Sequence, residues 1–140
     1  MTATSDTEAR DPRSRPASVG LAGETLAALS REIVRIRSEH YGKGAPEAKS
    51  FLCDDLLVCV MKGGLTQLER NLLDHGDGDL VRQLRLRFQT NMAATFISAV
   101  ERIRGHRVLT YQSQVLFDPD HVIEMFVLGP PVATSAANSA

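Results

Sequence analysis

Apolar side chains recur at Leu26, Leu29, Ile33 and Ile36, and His40 continues the series, so the steps run 3, 4, 3 and 4. That spacing puts one narrow apolar stripe on a helix, with Arg31, Arg35 and Arg37 falling mainly off it. Gly42, Gly44 and Pro46 stop the helix, and Gly42 is placed to take the left-handed C-cap conformation. A coiled-coil seam has the same spacing, but the stripe spans barely two heptads, so a helix packed on a sheet is predicted. Phe51 to Cys53 and Leu56 to Met61 read as a hairpin turning at Asp54-Asp55. The second run is apolar on both faces, which predicts a strand inside the sheet. Gly63-Gly64 breaks it, and Thr66 followed by Glu69 is a capping-box pattern that opens a short helix through Leu73.

A longer helix is predicted from Leu80 to about Arg104, because Leu80, Leu84, Phe88, Met92, Phe96 and Val100 recur every four residues. A strict four-residue step drifts around a helix, so this ridge wraps gradually and needs a broad partner surface. Gly105 ends it. Val108 to Phe117 is strand-like, with Leu109, Tyr111, Val115 and Phe117 on one face and Thr110, Gln112 and Gln114 on the other. Asp118-Pro119-Asp120-His121 suits a type I turn with proline second, and Val122 to Leu128 completes a second hairpin. The order α-β-β-α-α-β-β predicts an α+β two-layer sandwich, a mainly antiparallel four-stranded sheet with helices on one face. Residues 1–20 are polar and proline-bearing and are expected to be a disordered tail. The domain is expected over 21–128, and 129–140, opening on Gly129-Pro130-Pro131, forms a second such tail.

A length of 140 residues fits one domain, and 43% hydrophobic residues suffice for a core that 5% aromatics leave to aliphatic side chains. The net charge of −1 argues against a general nucleic-acid binder. The longest apolar run, Leu56 to Met61, is six residues, far short of the roughly 20 that cross a bilayer as a helix. The first residues lack the apolar stretch of a signal peptide. A cytoplasmic location is expected, with any membrane role exercised by docking. With a two-residue turn at Asp54-Asp55, Cys53 faces Leu56 and Cys59 faces Ser50, so the two thiols are expected to be reduced and buried rather than bonded to each other.

Candidate chemistry is sparse. Gly42-Lys43-Gly44 is a candidate anion site, since glycines beside a lysine let backbone N–H groups approach an anion. A phosphate loop, however, follows a strand and opens a helix, whereas this loop follows a helix. The acidic run Asp74 to Asp79 lacks the twelfth-position glutamate of a calcium loop, because counting from Asp74 reaches Arg85. Asp77 or Asp79 as the cap of the long helix explains its charges better. His40, His75, His106 and His121 are scattered singly, so no metal site is expected. No nucleophile motif and no cofactor motif occurs, which predicts a non-enzyme. Of 16 cationic residues 13 are arginine, and Arg82, Arg85, Arg87 and Arg102 on the long helix form a candidate docking surface for an acidic partner or anionic lipid. A solvated, partly ion-paired face is the simpler expectation.

The most specific signals are Tyr41-Gly42-Lys43-Gly44, Asp54-Asp55, Gly64-Leu65-Thr66 with Glu69, Gly105 and Phe126-Val127-Leu128. Together they resemble the MpsC-like family, named for a sodium-translocating, membrane-potential-generating system, over roughly Leu21 to Leu128. The resemblance implies a cytosolic accessory component of a membrane system linked to sodium transport, membrane potential or bicarbonate uptake, with integral transporter subunits as partners. The alternative is a small-anion or nucleotide sensor built on Gly42, Lys43 and Gly44. A homodimer is also expected, through the face around Leu86, Ile97 and Ile103 or through a sheet edge at Val122 to Leu128; the competing outcome is that the first helix covers the ridge within one chain.

Overall fold

The structure, a computed structural model, describes residues 17–42, 45 and 47–132, with side chains from Gly23 onward. Three helices and four strands follow in the predicted order: α1 (Ala17–Tyr41), β1 (Glu47–Cys53), β2 (Leu56–Lys62), α2 (Gln67–Asp74), α3 (Gly78–Arg104), β3 (His106–Phe117) and β4 (Asp120–Pro131). The strands form one antiparallel sheet ordered β1-β2-β4-β3. The helices cover one face of it, which makes the α+β sandwich expected from the pattern. Helix α1 begins at Ala17 and β4 runs through Pro131, so regular structure extends a few residues past both expected domain limits. Most of the two expected tails lies outside the described residues.

The first hairpin turns at Asp54-Asp55, with Cys53 opposite Leu56 and Ser50 opposite Cys59. Asp54 takes a left-handed φ of 53°, a conformation that Asp tolerates in tight turns. Cys59 is buried and burial pushes its thiol up to about 11, but Cys53 is exposed, against expectation, because it faces the sheet surface that the helices leave open. The second hairpin pairs Phe117 with Asp120, so Pro119 is the third turn residue, after a cis Asp118–Pro119 bond. That is a type VI arrangement rather than type I.

The core joins Leu29, Ile33 and Ile36 of α1, Phe96, Ala99 and Val100 of α3, and Leu57, Met61, Val122 and Phe126 of the sheet. Each such fully buried aliphatic side chain contributes about 1.5–3 kcal/mol. Gly105 stops α3 at φ 75°, its N–H donating to the Glu101 carbonyl at 2.9 Å. The α3 ridge departs from expectation at its start. Leu80 is 53% exposed and Leu84 is 44% exposed, while Val81, Arg85 and Gln89 are buried. Each four-residue step overshoots a full turn by about 40°, so five steps carry Leu80 roughly 200° from Val100. With Phe96 and Val100 inward, Leu80 must point out.

Strand β3 changes phase near its start. The register shifts between His106 and Val108 and again between Val108 and Thr110, which turns Val108 toward the core and leaves Leu109 65% exposed. Of the two surfaces expected to make a dimer, only Leu86 is exposed. Strand β4 lies between β2 and β3, and Ile97 and Ile103 pack against the core under α1. Apolar surface is left on the exposed side of α2 and α3 and on the outer face of the sheet.

Candidate functional site

Two buried glutamates organise the polar side of the core. Glu69 sits at the third position of α2, where the capping box is complete: its backbone N–H donates to Thr66 Oγ1 at 3.1 Å and the Thr66 N–H donates to Glu69 Oε1 at 2.8 Å. The same carboxylate receives Arg85 of α3, Nε to Oε2 at 2.6 Å and Nη2 to Oε1 at 3.2 Å, and the Tyr41 hydroxyl of α1 at 2.6 Å. Arg85 also reaches the Gly64 carbonyl at 3.4 Å and Asp120 of the second turn at 3.5 Å. Both Glu69 and Arg85 are 1% exposed. Burial alone would raise the Glu69 carboxyl, but Arg85, the Thr66 N–H and Tyr41 outweigh it and hold it down at about 2. Burial likewise opposes the charge on Arg85, and Glu69 overcomes it, so the guanidinium is held above its usual range. Burial and the hydrogen bond to Glu69 push the Tyr41 hydroxyl up to about 12. Tyr41 packs in turn on Phe88, ring centroids 4.8 Å apart.

Glu124 of β4 is fully buried and accepts from neutral donors, Gln89 Nε2 at 2.9 Å and the Tyr111 hydroxyl. Ser113 donates to the Gln89 carbonyl and completes the chain. Burial dominates here and lifts the carboxyl to about 7. Burial and the neighbouring Glu124 also push Tyr111 above the usual phenol range. Arg37 of α1 lies near both groups. It is 2% exposed, stacks over the Tyr41 ring at 5.1 Å, and has Nε and Nη2 buried without a hydrogen-bond partner among the described residues. Burial and the nearby Arg85 charge lower its pKa. Chemically, Glu69 and Arg85 form a locked ion pair, while Glu124 can hold and release a proton near neutrality.

The residues singled out from the sequence separate. Gly42 caps α1 at φ 93°, its N–H donating to the Ser38 carbonyl at 3.2 Å, and Lys43 and Gly44 lie outside the described residues. Arg85 is removed from the docking surface by its burial, and Arg37 likewise is not solvated. Arg82 is exposed but engaged, donating to the Val115 carbonyl at 2.6 Å with its guanidinium 4.8 Å from the Phe117 ring centre. Arg102 is exposed and reaches Glu32 at 3.2 Å, and Arg35 bridges Glu32 and Glu39 at 2.7 and 2.6 Å. Arg87 is exposed. Asp77 occupies the cap position of α3 without a side-chain cap bond. Sequence reasoning missed Arg37, Gln89, Tyr111 and Glu124. The available signal was positional, since Arg85 and Gln89 follow Val81 at four-residue steps and Glu124 alternates with Val122 and Phe126.

Among the described residues, no group of three or more His, Cys, Asp or Glu side chains is arranged to hold a metal ion. No described helix is long and apolar enough to cross a membrane. No curated protein and no solved structure matches the chain. Residues 22–129 match the family described as Na+-translocating membrane potential-generating system (MpsC). Within that stretch Tyr41, Thr66 and Arg85 converge on the Glu69 carboxylate, and Arg85 also reaches the Gly64 carbonyl. The match covers well over half of the chain, which therefore belongs to the MpsC family.

Proposed function

We propose that this chain is a non-enzymatic accessory domain that docks, from the cytoplasmic side, onto integral membrane subunits of a system for sodium-linked transport or membrane-potential generation. The observation that carries the proposal is the family match over residues 22–129. The buried polar network supports a structural rather than catalytic use of the charged residues, since Glu69, Arg85 and Glu124 are all closed to solvent. The exposed side of α2 and α3 supplies a surface for docking. Leu80, Leu84 and Arg87 follow at helical spacing on α3, and Leu68 of α2 is 64% exposed. An apolar stripe with an adjacent cation suits a partner helix or loop that carries acidic residues. Affinity purification of the tagged protein from its own cells, followed by mass spectrometry, should recover membrane subunits. Leu84→Glu with Arg87→Glu should lose them. Recovery of the protein alone, from both membrane and soluble fractions, would refute the proposal.

A second reading, a small-anion sensor, is favoured by Arg37, whose buried guanidinium has two nitrogens unpartnered among the described residues, little more than one turn before Gly42. Calorimetry with bicarbonate, phosphate and common nucleotides tests it. Lys43→Ala should then weaken binding, and an absence of heat and thermal shift with every ligand on the wild type ends it.

A further inference from the structure

The helices leave the outer face of the sheet open, and its centre is apolar. Leu56 pairs with Val127, Val58 with Met125 and Val60 with Ile123, so six apolar side chains form a block two strands wide and three rows deep. Phe51 of β1 pairs with Val58 and extends the middle row, 46% exposed. The border is polar, with Lys49 opposite Val60 on one side, Gln112 and Gln114 beside Met125 and Ile123 on the other, and the Lys62–His121 pair at one end. A cleft of about 570 Å3, lined by Phe51, Val60, Lys49 and Lys62 among others, adjoins the block. An antiparallel sheet that turns one face to water usually alternates polar residues onto that face. A contiguous apolar patch with a polar rim is the anatomy of an interface.

The chain's own remaining segments offer few apolar side chains to such a face. Residues 1–16 contain one large apolar side chain, Met1, and residues 133–140, ATSAANSA, contain none. The block itself carries no charge that would select a charged partner, and it is centred on the Val58–Met125 pair. A twofold axis through that point lays apolar rows on apolar rows and leaves both polar rims outside, which is the self-complementarity of an isologous contact. Strands about 4.8 Å apart and rows about 7 Å apart give the four-stranded face roughly 500 Å2 in projection. Side-chain relief carries this toward the ~800 Å2 of accessible surface per partner in a standard interface. We infer that a second copy of this chain covers the outer sheet face, in a sheet-on-sheet dimer centred on Val58 and Met125. The exposed side of α2 and α3 then stays free for docking, so the two readings stand or fall separately.

Light scattering coupled to size exclusion on the full chain, at tens of micromolar, should give twice the 15.3 kDa of one chain. Val58→Lys with Met125→Lys should run at the single-chain mass with an unchanged far-ultraviolet spectrum. Val60→Thr with Ile123→Thr keeps the β-branching that strands accept and should weaken association roughly tenfold or more while preserving the fold, since it removes apolar contacts from the centre of a packed patch. Leu84→Lys, on α3, should stay dimeric, and so should a chain lacking residues 1–16. A wild type at the single-chain mass overturns the inference. So do outer-face variants that associate as tightly as wild type, or a dimer that forms only once residues 1–16 are removed, which would assign the face to that segment.

Discussion

Glu69 and Glu124 lie in the same polar layer beneath the helices, both with essentially no exposure, yet their carboxyls are driven in opposite directions, to about 2 and about 7. The difference is the charge state of their donors. Glu69 meets a guanidinium and a helix-capping N–H, so its ionised form is compensated where it is buried. Glu124 meets an amide and a phenol, which donate hydrogen bonds but no positive charge. The Arg37 charge near Glu124 lowers its carboxyl but, with no direct contact, does not offset burial. Depth of burial alone therefore does not fix the protonation of a buried acid; a cation in direct contact does. The first glutamate ties α1, α2, α3 and the second turn together. The second is a proton-holding group inside the sheet.

Removing the cation from the first site breaks the contrast most severely. Arg85→Met should destabilise the fold by about 3–5 kcal/mol, because it leaves a buried carboxylate unpaired, and urea unfolding at fixed protein concentration measures this. Adding Glu69→Gln to that variant should recover part of the loss, since Gln still accepts from Thr66 and Tyr41 without a charge. Equal losses in the single and double variants would mean that the pair is not electrostatically coupled.

Acid and neutral pH should pull the two sites apart. The Glu69 pKa is lowered from 4.5 to about 2 on folding, so its contribution is present above pH 4.5 and is lost as pH falls through 2. The Glu124 pKa is raised from 4.5 to about 7. The unfolded chain gives up that proton first, so stability declines as pH rises from 4.5 to 7 and then levels. Each limb is on the order of 3 kcal/mol, at about 1.4 kcal/mol per pKa unit. Glu124→Gln should flatten the upper limb and leave the acid limb in place, read as unfolding free energy across the pH series.

Smaller changes sharpen the comparison. Tyr111→Phe should cost about 1–2 kcal/mol by removing a hydrogen-bond donor to Glu124, and should move the upper limb to higher pH. Thr66→Ala should cost about 1 kcal/mol through the lost helix cap, with both limbs kept, because Arg85 and Tyr41 still hold Glu69. Thermal unfolding at pH 5 and pH 8 separates the two variants.

Much of the architecture was legible in the chain. The Asp54-Asp55 turn, the Thr66–Glu69 capping box and the Gly105 stop depend on neighbouring residues, and each formed where the pattern placed it. The site was legible only in fragments. Arg37 and Arg85 read as surface cations because arginine is rarely buried, and nothing local announces the acid that pairs with Arg85 sixteen residues earlier. The four-residue ridge of α3 misled for a geometric reason, since its drift turns Leu80 and Leu84 outward and brings Arg85 and Gln89 in.

By itself the sequence determined the order of elements, the Asp54-Asp55 turn, the Thr66 and Gly105 caps, and the family, because each follows from residue spacing and local backbone preference. The tertiary structure alone decided that β4 lies inside the sheet rather than at its edge, and that two glutamates of equal burial differ in the direction their carboxyls are shifted. Those outcomes depend on which side chains meet across long stretches of chain, and a buried charge persists only where a distant partner compensates it.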